Sequence, residues 1–194
     1  LAKQLACPVI NIEYSLSSPD ANPHHMESLS YQPYNLYIFS SEFVANSWSF
    51  DIDDDTVRLI QHGIDTEFFK GWQGGDNKVL TVVRDYQKRN SVTGFELYKE
   101  VIKDFQPNLH GYSPGLSKST KDVYELLQIY QNASVFLNTS AWHACPLAML
   151  EAMSVGCPIV TTGTAILSEI IEDGVNGFIA DDVDIMRERI KKTS

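Results

Sequence analysis

The most constraining stretch begins at Ala133, where an apolar run enters Asn138-Thr139-Ser140-Ala141-Trp142-His143-Ala144-Cys145 and then a helical pattern from Pro146 to Gly156. Pro146 suits the first helical position, where its missing N–H loses no partner, and Gly156 suits the left-handed residue that ends a helix. A further apolar run, 158–161, follows at once. Strand, helix and strand in this order point to a parallel sheet rather than to hairpins. The unpaired N–H groups around Cys145 to Ala148 then lie beyond the strand ends, where a helix amino terminus attracts phosphate.

The same alternation extends in both directions. Residues 7–12, 35–39 and 57–60 read as strands, with Ser40-Ser41 as a helix cap after the second and a long loop over 17–33. Residues 70–77 hold three glycines without apolar periodicity, which reads as an exposed connection, so the domain boundary is expected between 70 and 71. Beyond it the pattern predicts strands over 78–83, 134–138 and 158–161, with helices over 91–104, 120–131, 146–155 and 165–172. A last helix is expected from near Asp184. This is a doubly wound α/β arrangement. Leu1 to Ala6 reads as the last turns of a helix, so a preceding part of the first domain is expected.

Fifteen basic against 25 acidic residues give a net charge of -10, which disfavours nucleic acid and anionic lipid as partners. No apolar run approaches the ~20 residues that span a bilayer. Cys7, Cys145 and Cys157 show no C-x-x-C spacing, so neither a disulfide framework nor a zinc site is expected. A cytoplasmic location is the simplest reading. Asn132 and Asn138 begin short glycosylation-like triplets of a kind that arises often by chance.

Leu147 and Glu151 fall four residues apart and share a helix face, so a carboxylate at 151 could accept two ribose hydroxyls. On spacing alone, a solvated helix carboxylate is the plainer reading. Arg84 and Lys88, after the 78–83 strand, are on composition alone solvated loop charges.

Together, the segment from Asn138 through Pro146-Leu147-Ala148-Met149-Leu150-Glu151 to Val160 resembles the signature of family 4 retaining glycosyltransferases. His62-Gly63-Ile64-Asp65-Thr66-Glu67-Phe68 resembles the family's exit from the first domain, and Ile170 to Phe178 its late glycine-rich turn. The resemblance implies a GT-B type fold. Residues 1–70 would be the trailing part of an incomplete, acceptor-side Rossmann-like domain, and 71–194 the nucleotide-sugar-binding one.

It further implies transfer of a sugar from a nucleotide-diphosphate sugar to an acceptor hydroxyl on a sugar, lipid or protein. No cofactor and no metal would be needed. Arg84 and Lys88 would neutralise the diphosphate, with Arg89 as an alternative to Lys88, and Cys145, Pro146, Leu147 and Glu151 would complete the donor site. The family's paired carboxylates, eight positions apart, appear here as His143 and Glu151, which makes His143 the candidate catalytic residue and leaves it to hydrogen-bond the sugar. Tyr14 stands where many relatives carry an acceptor-side histidine. The segment between Asp104 and Ser117 is condensed, with 108–112 where a longer base-binding strand and turn are expected.

Two other readings compete. Asp51-Ile52-Asp53 matches the Asp-x-Asp pair of metal-dependent transferases, but an acidic run between a helix and a strand is ordinarily solvated. A module that binds nucleotide sugar without transferring it, or that relies on a partner chain for the missing half, is favoured by the absent first carboxylate.

Overall fold

A computed structural model of the protein describes residues 8–13, 34–142 and 146–193. Its contacts divide the chain into two compact units, meeting between Gly63 and Ile64.

The first unit carries a parallel sheet in the order β1 (Ile10–Glu13), β2 (Leu36–Phe39), β3 (Val57–Leu59), with Ile10 opposite Leu36 and Tyr37 opposite Val57. Helix α1 (Glu42–Ser47) starts where the serine pair predicts, since Ser41 Oγ accepts from the Val44 N–H at 3.1 Å. Val44 and Ala45 are buried, and Phe50 packs on the rings of Tyr37 and Phe39 at 4.5 and 5.0 Å. The acidic run of the metal-dependent reading is a pair of turns. Asp51 Oδ1 accepts from the Asp53 N–H at 3.0 Å, and Asp54 Oδ1 accepts from the Thr56 N–H at 2.7 Å and its hydroxyl at 2.6 Å.

The second unit is a five-stranded parallel sheet. In chain order it holds β4 (Lys78–Val82), α2 (Asn90–Thr93), α3 (Phe95–Ile102), β5 (Gln106–His110), α4 (Val123–Asn132) and β6 (Val135–Asn138). Then come α5 (Leu147–Val155), β7 (Ile159–Thr161), α6 (Ala165–Ile170), β8 (Phe178–Ile179) and α7 (Val183–Thr193). The strand order is β5-β4-β6-β7-β8. Because strand side chains alternate, Val79, Val135, Leu137 and Val160 form one face, buried with Tyr98 and Val101 of α3 and with Met186 and Ile190 of α7. Leu80, Phe136 and Ile159 form the other, on the side of α4 and α5.

Several boundaries differ from the sequence expectation. The helix expected over 91–104 is two helices, because Gly94 between them adopts φ +67. Strand β5 falls in the segment expected to be condensed. Among the described residues it is an edge strand paired only with β4, a position that tolerates Pro107. The unit boundary lies ahead of the glycine-rich stretch because residues 64–77 are stitched to the second unit. The Ser154 hydroxyl donates to Phe69 O (2.7 Å), the Trp72 N–H to Val155 O (3.0 Å) and the Trp72 indole N–H to Ala133 O (2.7 Å). The carbonyls at the carboxyl ends of α4 and α5 therefore find donors in this segment instead of water. The expectations for 1–7, Tyr14 and 17–33 lie outside the described residues.

Candidate functional site

The path of the chain through the sheet reverses at β4. From there it goes out to β5 and returns across to β6, so the carboxyl ends of β4 and β6 border a switch point, where open α/β sheets bind their ligands. A cavity of about 200 Å³ lies there, lined by Arg84, Arg89, Thr93, Asn138 and the first turn of α5, from Pro146 to Met149. A larger cavity, about 290 Å³, lies beside Ile159 and Phe178 at the amino ends of β7 and β8, the opposite end of the sheet. Its size carries less weight than its position, because the strand carboxyl ends present the polar loops.

The loop after β4 is held rigidly. Asp85, at φ +53, donates its N–H to Tyr112 O at 2.8 Å, and the Tyr86 N–H reaches Ser113 Oγ at 3.1 Å. Thr139 Oγ1 donates to Thr93 O at 3.1 Å, which uses its one proton. The Tyr86 hydroxyl, 2.6 Å from that same oxygen, is therefore the donor between them. Tyr86 is fully buried, and burial pushes its pKa well above the tyrosine range, so it stays protonated for this role. The turn is closed by the Thr93 hydroxyl, which reaches Tyr86 O at 2.7 Å and Arg89 O at 3.0 Å.

Gly94 lets the β6 loop approach this turn. A Cβ at that position would stand 1.8 Å from Thr139 O. The Ala141 and Trp142 N–H groups then donate to Val92 O at 2.8 and 3.2 Å, locking the two loops together. Behind them the polar atoms satisfy one another. Asn138 Nδ2 donates to Thr161 Oγ1 at 2.9 Å, and Thr162 Oγ1 to Ser140 O at 2.6 Å. Asn138 is thus committed to the sheet end rather than displayed at the surface.

Arg84 points largely to solvent. Its ion partner is Asp85, the next residue, at a loose 3.7 Å, so its charge is available to a ligand. Arg89 lines the cavity with it, whereas Lys88 is exposed and outside the lining. Of the two alternatives for the second cation, Arg89 lines the cavity, and both side chains are exposed.

Pro146 does not occupy the first helical position. It is the N-cap, with φ −86 and ψ 63, and its carbonyl accepts from the Met149 and Leu150 N–H groups at 2.9 and 3.0 Å. The N–H groups of Leu147 and Ala148 have no partner within the helix and belong to the turn that lines the cavity. Gly156 closes the helix at φ +99, as expected. His143 and Cys145 lie outside the described residues.

Glu151 is only partly exposed and lies outside the cavity lining. It is half-buried, and the Tyr130 hydroxyl of α4 donates to its Oε2 at 2.8 Å. Burial holds its pKa above the ordinary carboxylate value, against the lowering effect of the Tyr130 bond. The sequence reading missed Tyr130, since nothing in a helix residue 21 positions away signals this contact. Cys157 is buried, and burial pushes its thiol up to about 12, so it is inert packing. Among the described residues no cluster of His, Cys, Asp or Glu could hold a metal ion, and no helix is long and apolar enough to cross a membrane.

A parallel sheet with helices on both faces and a cavity at its switch point has the Rossmann-like architecture of the GT-B fold. The family profile for glycosyl transferases group 1 matches residues 82–193, more than half of the chain, and the protein belongs to that family. HepE from Anabaena, solved with UDP and glucose, superposes with a TM-score of 0.79 at 14% identity, covering 98% of this chain and 63% of its own. Sucrose-phosphate synthase from Thermosynechococcus elongatus gives 0.75 at 16%, covering 98% of this chain and 59% of its own. The lipopolysaccharide outer core galactosyltransferase WaaB, in its apo form, gives 0.69 at 14%, covering 99% and 61%. At such identities the likeness is one of fold, and the chain spans less than two thirds of each of these structures. The search of curated proteins found no match.

Proposed function

We propose that the second unit binds a nucleotide-diphosphate sugar, and that the protein to which it belongs is a retaining glycosyltransferase transferring that sugar to an acceptor hydroxyl. The observation that carries this reading is the cavity at the switch point, lined by two arginines and the first turn of a helix, whose leading N–H groups have no partner within the helix itself. A diphosphate is the ligand such a set suits: guanidinium groups pair with phosphate oxygens, and the helix dipole adds positive potential. HepE, of the same fold, was solved with UDP-glucose.

In this reading the bond between the anomeric carbon and the diphosphate oxygen breaks as the acceptor oxygen bonds to the same face of the sugar, and the acceptor's proton is released. Arg84 and Arg89, with the Leu147 and Ala148 N–H groups, stabilise the charge that gathers on the departing diphosphate. Lys88 is the reserve cation, and Glu151 takes the ribose. Cys145 and His143 complete the donor side, with His143 hydrogen-bonding the sugar. The first unit, 1–70 in the sequence reading, is the acceptor side. The protein acts in the cytoplasm without a bound metal.

A second reading, binding without turnover or turnover only with a partner chain, is favoured by His143 at the position of the first carboxylate. Thermal-shift assays with UDP-, GDP- and ADP-sugars, with and without EDTA, test binding first. A shift with one base that survives EDTA is expected, and no shift with any donor would sink both readings. Product anomer analysis by NMR then separates transfer from binding and retention from inversion.

A further inference from the structure

We propose that Tyr130 is a positioning residue for the nucleotide's ribose, holding one oxygen of Glu151 so that the other is presented to the sugar hydroxyls. The inference rests on the nucleotide-sugar reading and deepens it. Tyr130 is fully buried, its ring centroid 6.2 Å from those of both Phe69 and Phe136, so its hydroxyl is held in place by packing. Its partner there is Glu151 Oε2, at 2.8 Å. An ionised carboxylate only accepts, so Tyr130 donates. Oε1 has no hydrogen-bond partner among the described residues.

The position of Glu151 completes the argument. It follows Leu147, which lines the cavity, by one helical turn on the same face, and helical side chains lean toward the amino terminus, here the cavity end. A free glutamate would lose rotamer freedom on gripping a ribose, and a bond already made to a fixed tyrosine removes most of that loss before the ligand arrives. The same bond keeps the half-buried carboxylate from turning out to water.

The test compares UDP, GDP and ADP with their 2′-deoxy counterparts by calorimetry, for the unsubstituted protein and for Tyr130→Phe, Tyr130→His and Glu151→Ala. The ratio of ribo to deoxy affinity is the readout, because a tyrosine that merely packs would change both affinities alike. The unsubstituted protein should prefer the ribonucleotide, Glu151→Ala should abolish the preference, and Tyr130→Phe should reduce it about three- to tenfold, the net size of one ordinary hydrogen bond. Tyr130→His, which keeps a ring and a donor, should recover part of it. An undiminished ratio in Tyr130→Phe overturns the positioning role alone. Should that variant not fold, a histidine variant with no more preference than Glu151→Ala does the same. Binding by none of the nucleotides overturns the reading on which the inference rests, and a preference that Glu151→Ala leaves intact removes Glu151 from the ribose and with it the positioning role of Tyr130.

Discussion

Arg84 and Glu151 divide the proposed ligand between them, and single substitutions separate their shares. Arg84→Ala should weaken a nucleoside diphosphate by about 1.5–3 kcal/mol while barely affecting the nucleoside, since only the former presents a diphosphate. Equal losses in calorimetry would remove Arg84 from the phosphate site. Glu151→Ala should weaken nucleotide-sugar binding by about 1–3 kcal/mol, and unchanged affinity would remove it from the ribose. Its pH dependence has a definite sign. Because burial raises the folded-state pKa, the ribose-binding carboxylate is lost, as pH falls, at a higher pH than an ordinary glutamate would show. Stability runs the other way: the contribution of Glu151 is fully present below its unfolded pKa and lost as pH rises through the folded one. Uridine titrations and melts across the acid range read the two effects separately.

At the level of elements, the site depends on two loops locked together through Gly94. Gly94→Ala should lower stability by more than the ~1–3 kcal/mol of left-handed backbone strain, because the added Cβ also meets the Thr139 carbonyl. A urea midpoint within error of the unsubstituted protein would contradict this. The same glycine shows where sequence reading ran out. Periodicity identified the 146–155 helix and its flanking strands, whose apolar runs are buried and whose end is marked by Gly156. It merged α2 with α3, because an isolated glycine in an apolar-periodic stretch reads equally as a tolerated helix residue. It passed over β5, since Gln106-Pro107-Asn108 lacks the apolar run of the inner strands. The contact division falls ahead of the glycine-rich stretch for a related reason: Trp72 and its neighbours bond to helix ends distant in sequence, and composition does not encode such partners.

For the whole molecule, residues 64–193 contain every described element of the candidate donor site, so this unit should carry nucleotide binding by itself. Expressed alone, it should melt cooperatively and retain the affinity of the full chain for its nucleotide within about threefold, a difference of about 0.6 kcal/mol. A much larger loss would place part of the donor site in the first unit. The cations after β4 entered the reading only through a family resemblance, while the switch point required the strand order, with β4 lying between β5 and β6. The central claim is that a metal-independent diphosphate site lies at that switch point. Its most direct test is calorimetric titration of the protein, in EDTA, with UDP-, GDP- and ADP-glucose, repeated on the Arg84→Ala/Arg89→Ala double variant. Saturable binding of one donor that the double variant loses is the predicted result, and binding of none, or binding that survives loss of both arginines, would contradict it.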